Sequence, residues 1–465
     1  EKDIKAEECR KILEEDLSGD NMGAEYKKFI YWYGIVTRNS EKEYMDEKSG
    51  MKFMEVASDA ARCGEPNAQR FCGWNLLHDD PDKAQEFFEL AISQGDTGLA
   101  MELGQMYMFG NTVEEDLTKA ASYFLQGARQ EDKGCMMYLA HIYGVLDDKE
   151  MRDNAKQLYY RVYTSSDEDS SEEKSACYYY GRMLYQEVEG GQSLDDYDAT
   201  DLLCLFVYSY VIGKFRIAAD AYVKIAEQMD NLNILLMTPH IYVFAGDNAT
   251  ANEVIDYCME HVECKDNVLI QKGIVDALTC NDQQAVEELN REALFEADEG
   301  NTGKEVYAGL LYKQGRYDEL LQLVEKAEER GMAKAELIFY KGRAYGALGL
   351  EEKAVECFTT ASEMDINGDN ALYPAYALLM LNKYDECREM IAKGLDKLDN
   401  SYEYPMCFAY NNAAYYYMLM GDVKDAVAYF KKSVETGYLT FDYMKEYKSE
   451  LLACGEIKDY IDSLK

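Results

Sequence analysis

Cys258, His261 and Cys264 bring three soft metal ligands together within seven residues. On a helix, positions i, i+3 and i+6 fan over about 120° at 3.6 residues per turn. That is too wide for one helix to close a tetrahedral site, so a fourth ligand would have to come from elsewhere in the chain. Two buried cysteines beside a surface histidine fit the pattern better, and no metal is expected. The other histidines, His78, His141 and His240, stand singly. No Ser-His-Asp spacing, phosphate-cradling loop or zinc-protease helix occurs. Paired acids abound, but among 88 acidic residues such pairs arise by chance. The reading is therefore a protein that is not an enzyme, with no catalytic residue and no cofactor.

The elements that carry these residues are helical. Proline is confined to Pro66, Pro81, Pro239, Pro374 and Pro405 in 465 residues, and an interior proline costs a helix about 3 kcal/mol. The chain is too long for one compact core, and its 48% hydrophobic content is that of a folded protein. The 40 tyrosines suit helix interfaces, where the ring packs and the hydroxyl reaches a polar edge. A net charge of −40 disfavours nucleic acid and anionic membranes, and speeds encounter with a basic partner. The 13 cysteines are scattered singly, and Cys72, Cys357 and Cys387 stand where a small apolar residue belongs. That usage fits reduced thiols in a cytoplasmic protein. No apolar run nears the length of a membrane span. The first residue is Glu1 rather than methionine, which leaves room for an upstream signal peptide or domain.

Small residues recur at fixed offsets toward the C-terminus. Tyr312, Gly315, Tyr317, Leu320, Val324 and Ala327 are followed about 34 residues later by Tyr345, Gly349, Ala354, Phe358 and Ala361. The pattern returns at Tyr384, Cys387 and Ile391, then at Tyr417, Gly421, Ala426 and Phe430. Such a period marks stacked helical hairpins. Further upstream, Ala100, Leu103, Gly104, Tyr107, Ala120, Tyr123, Phe124 and Ala128 form a slightly longer repeat. Ala84 and Phe88 precede it by about 36 residues, and a weaker copy follows at Leu139, Ala140, Tyr143 and Ala155. Gly104, Gly342 and Ala414 would let a second backbone approach, as would Ala84, Ala120, Ala354 and Ala426 from the facing helix. Phe88, Phe124, Phe358 and Phe430 would plug the gap between successive repeats. Asp80 and Pro81 together start a helix as N-cap and first residue.

The stretch from Asn67 to Gln130 resembles the Sel-one-like repeat, and four repeats over 301–437 resemble the tetratricopeptide repeat. Lys383 stands where the third of these usually has glycine. The resemblance implies an all-α protein: a right-handed α-α superhelical solenoid of about 12–13 stacked helical hairpins, with a bacterial source expected. The organisation read from it is N-terminal helices over 1–66, Sel-one-like repeats over 67–190, degenerate hairpins over 191–300, four repeats over 301–437, and capping helices over 438–465. In the degenerate part, helices are expected at Val207–Ile212, Ala218–Met229, Ile241–Ala245, Val254–Val262 and Ala285–Ala297. Ser165–Glu173 is expected as an exposed acidic loop that caps the next helix.

In this repeat family the first helix of each hairpin lines a concave face that holds peptides. By register, Phe339, Tyr340, Arg343, Tyr373, Tyr376, Asn411, Asn412 and Tyr415 are the expected peptide-binding residues. Asn412 falls where related arrays grip a peptide backbone, since an amide offers both donor and acceptor. Glu305, Gly309, Glu336 and Asp369 occupy positions where a clamp for a C-terminal carboxylate needs basic or amide groups, so that family clamp is not expected. The leading function is a non-enzymatic scaffold or adaptor binding a protein or peptide. The alternatives are an immunity-type protein masking a basic effector such as a nuclease, a regulatory array of a larger enzyme, and a metal enzyme centred on Cys258.

Overall fold

The alternation of small and aromatic residues produces paired helices throughout the computed structural model, which describes residues 57–110, 113–146, 148–168, 170–290, 292–296, 302–364, 372–399 and 405–464. The helices expected before residue 57 lie outside the described residues, as does Asp369. The chain forms two compact units, Glu1–Ala176 and Cys177–Lys465. Among the described residues there is no strand, and no helix is long and apolar enough to cross a membrane.

The N-terminal unit contains α1 (Pro66–Leu76), α2 (Pro81–Ser93), α3 (Thr97–Phe109), α4 (Leu117–Arg129), α5 (Lys133–Val145) and α6 (Lys149–Ser165), packed as successive pairs. Asp80, Asp96, Asp116, Asp132 and Asp148 cap α2 through α6, each side chain accepting a backbone N–H of the first turn. Part of the acidic excess is thus spent on helix starts, where a carboxylate also meets the positive end of the helix dipole. The small positions make room for a ring rather than for a second backbone. A Cβ built on Gly73 would lie 2.3 Å from the Phe88 ring, and one on Gly104 2.3 Å from the Phe124 ring. Each phenylalanine therefore seats on the glycine of its own hairpin. Phe124 additionally stacks on Tyr138 of the next one, with centroids 5.0 Å apart.

The expected acidic loop is shorter than its sequence suggests. Helix α6 runs on through Ser165, and α7 (Ser171–Glu189) begins almost at once. Ser170 supplies the cap, its Oγ accepting the Glu173 N–H at 3.1 Å.

The C-terminal unit pairs α8 (Ala199–Val211) with α9 (Phe215–Met229); after the short α10 (Leu232–Leu235), it pairs α11 (Pro239–Phe244) with α12 (Asn248–His261), and α13 (Lys265–Leu278) with α14 (Asp282–Leu289). The helix expected over Ala285–Ala297 breaks: α14 stops at Leu289, and a 3-10 turn covers Glu292–Phe295. Four clear hairpins follow. They are α15 (Thr302–Lys313) with α16 (Tyr317–Glu329), α17 (Ala335–Ala347) with α18 (Glu351–Glu363), α19 (Tyr373–Met380) with α20 (Tyr384–Asp399), and α21 (Met406–Leu419) with α22 (Val423–Glu435). Short helices α23 (Phe441–Tyr447), α24 (Ser449–Ala453) and α25 (Gly455–Ser463) end the chain.

One turn links these hairpins. Gly315, Gly349 and Gly421 each take a positive φ two residues before a second helix. In the third repeat Asn382 holds that left-handed position at φ 58°, so Lys383 is not the glycine equivalent. Asparagine tolerates this region better than most residues. Gly213, Gly246 and Cys280 adopt the same turn before α9, α12 and α14.

The C-terminal unit closes on itself. A Cβ on Gly213 would stand 2.0 Å from the Thr436 carbonyl oxygen, and one on Gly437 2.4 Å from the Gly213 oxygen. Two backbones more than 200 positions apart thus touch at glycines. Beside them Phe408 stacks on Phe215 at 5.7 Å and meets Phe244 edge-on at 4.7 Å. A single buried cluster runs from Phe215, Ile241 and Ala251 to Tyr410, Phe430 and Leu451.

Candidate functional site

The first helices α15, α17, α19 and α21 face inward in the closed C-terminal unit and surround a cavity of about 440 Å³. Its wall is dominated by tyrosine, because the first-helix positions that would meet water in an open array here meet one another. Of the eight residues expected to bind peptide, Tyr340, Arg343, Tyr373, Tyr376, Asn412 and Tyr415 line this cavity. Phe339 and Asn411 do not. Phe339 is buried against Phe358 and Tyr376, with centroids 5.6 and 4.5 Å away. Asn411 is fully buried behind Asn412, its amide within 4.0 Å of the Met444 sulfur. Both side chains are buried and neither borders the opening.

The wall is ordered by hydroxyl and ring contacts. The Tyr373 hydroxyl donates to Glu305 at 2.5 Å. Tyr376 meets Tyr415 edge-on at 5.9 Å and Tyr416 at 4.8 Å. The Arg343 guanidinium lies 4.1 Å from the centre of the Tyr312 ring. Burial pushes the Tyr340 hydroxyl up to about 12, with the Glu305 charge adding to the effect. Burial also holds His240 down to about 4, so it is neutral at ordinary pH; its Nδ1 is 3.4 Å from Gln271.

Sequence reasoning missed the residues that the terminal helices bring. The Lys448 amine, between α23 and α24, donates to Asn411 Oδ1 at 2.7 Å and Asn412 Oδ1 at 2.6 Å, and lies 5.9 Å from the centre of the Tyr415 ring. Burial lowers it to about 7, with Glu305 acting in the opposite sense. The amide oxygen expected to accept from a peptide is thus already engaged by the chain itself. Tyr447 anchors this segment: its hydroxyl donates to Asp282 at 3.0 Å, and Lys313 sits 4.5 Å from its ring centre while bonding the other Asp282 oxygen at 2.6 Å. The available signal was the spacing of Met444, Leu451 and Ile457. All three are fully buried, so the terminal helices had to dock, and α24 does so on α21.

The cysteine cluster is not assembled. Cys258 is buried, but Cys264 is exposed at the start of α13, contrary to the expectation that both cysteines are buried. His261 is exposed, stacks on Tyr257 and has its Nδ1 2.8 Å from the Tyr257 carbonyl. Among the described residues, no group of three His, Cys, Asp or Glu is arranged to hold a metal ion.

No protein-family model matches the chain, and no curated protein matches it. Solved structures similar to it include a Sel1 repeat protein from Oxalobacter formigenes, 16% identical over 78% of this chain and 87% of that one, with a TM-score of 0.33. Yeast Tom70 is 14% identical over 97% of this chain and 96% of its own, with a TM-score of 0.39. A protective antigen of uropathogenic Escherichia coli with an SLR fold is 19% identical over 86% and 96%, with a TM-score of 0.30.

Proposed function

We propose that the protein is a non-enzymatic scaffold for a protein partner, and that the tyrosine-lined cavity of the C-terminal unit receives a short segment of that partner. The observation that carries this reading is the convergence of six register-selected residues on one concave space. Rigid tyrosines offer contact area at low entropic cost, and concave, largely aromatic spaces with a few polar groups are where ligands are held. The test is recovery of partners from the source cell by affinity purification, comparing the native chain with Tyr376→Ala and Asn412→Ala. Both variants are expected to lose the partner while keeping native helicity by circular dichroism. Unchanged recovery would remove the cavity from the function.

The charge of −40 favours a second reading, the masking of a basic effector. Attraction between exposed charges is screened by salt. A complex that weakens steeply with added salt and survives both cavity substitutions supports masking over cavity recognition.

A further inference from the structure

Two basic side chains on the cavity wall, Arg343 and Lys448, make no ion pair among the described residues. Arg343 lies 4.1 Å from the centre of the Tyr312 ring and 5.9 Å from that of Phe339, and shares the cavity wall with Tyr340 and Tyr376. Lys448 is held by the neutral amides of Asn411 and Asn412. Among the described residues, neither makes an ion pair with a carboxylate, although Glu305 acts on Lys448 through space. Arg343 lies over the Tyr312 ring and Lys448 over the Tyr415 ring, and both side chains line the same cavity. A half-buried cation without a counter-ion still carries a desolvation cost, and both side chains line the same cavity.

Resting on the reading of this cavity as a binding site, we propose that it takes a monoanion: a carboxylate carried on an aromatic body. The carboxylate would lie between Arg343 and Lys448, where the guanidinium offers a planar pair of donors and the ammonium a point charge. The aromatic body would pack on the tyrosine rings, which favour offset or edge-on partners. Glu305 and Glu450 on the same wall disfavour a second negative charge, which sets phosphate and dicarboxylates apart. A cavity of about 440 Å³ suits a small acid or the last residue of a chain.

Isothermal titration calorimetry of the full chain, at a pH below about 7 where the Lys448 amine is protonated, tests this with matched probes. These are 4-hydroxyphenylacetate against 4-hydroxyphenylacetamide, and an Ala-Ala-Tyr peptide with a free against an amidated terminus. In at least one pair the acid is expected to bind about tenfold or more tighter than its amide. Arg343→Gln and Lys448→Gln should abolish that preference. If the free acid discriminates, the ligand is a small molecule; if only the peptide does, it is a partner's terminus. Equal binding of acid and amide in both pairs, or no binding of either acid, overturns the assignment, and this comparison on the native chain needs no variant to fold. Should the acids fail while Tyr376→Ala still loses the partner, the scaffold reading stands and only the anion is wrong.

Discussion

Lys448 ties the last short helices to the cavity, and its protonation is linked to stability. Its amine titrates near 7 in the folded protein, against about 10.4 for an unperturbed lysine. Between those values the unfolded chain holds the proton that the folded chain has released, so stability rises with pH across the window. Below about 7 both states are protonated and the cost of burying the charge is complete. Glu305 opposes the shift, and Glu450 and the Tyr415 hydroxyl share the cavity wall with the amine. Lys448→Met should flatten the rise in unfolding free energy between about pH 7 and about pH 10, measured by urea titration at several pH values. A variant with the slope of the native protein would show that the amine is not the titrating group. Asn412 and Tyr376 could be read from the register because they recur on first helices. Lys448 could not, because it belongs to no repeat.

At the scale of the element, the hairpin is defined by a ring on a glycine. Gly104→Ala drives a methyl into the Phe124 ring, and the crowding should cost about 1–3 kcal/mol. Phe124→Ala leaves a void in a fully buried position and should cost about 3–5 kcal/mol. Because one ring occupies the space over one glycine, Gly104→Ala should cost much less in the Phe124→Ala background. A double-mutant cycle by thermal or chemical unfolding checks this; simple additivity would mean that the two sites do not share a space. The same scale explains the Lys383 misreading. The repeat pattern marks the left-handed turn residue by glycine, and Asn382 and Cys280 fill that conformation without it.

For the C-terminal unit as a whole, closure depends on glycine backbones. Gly437 has φ 104°, a region side chains rarely adopt, and an added Cβ would meet the Gly213 oxygen at 2.4 Å. Gly437→Ala should therefore destabilise this unit by about 1–3 kcal/mol. It should also loosen the aromatic contact of Phe408 with Phe215 and Phe244, seen as faster amide exchange in α9 and α21. An unfolding midpoint and exchange pattern equal to the native protein's would argue against closure at this point.

Helix type, pairing and inward-facing register were set by short-range chemistry: small residues at fixed offsets, aspartate caps, and a ring placed to cover a glycine. Those signals repeat, so they could be read without coordinates, and six of the eight residues expected on a peptide-binding concave face line the cavity. Whether the array stays open or closes depends on Gly213 meeting Gly437 and on the terminal helices folding back onto α21. The first contact joins backbones more than 200 positions apart, and the second is made by helices outside any repeat, so no repeat spacing records either. They convert an inner wall into a cavity, cover Asn411 with Met444 and Lys448, and deliver the Lys448 amine to the amide of Asn412.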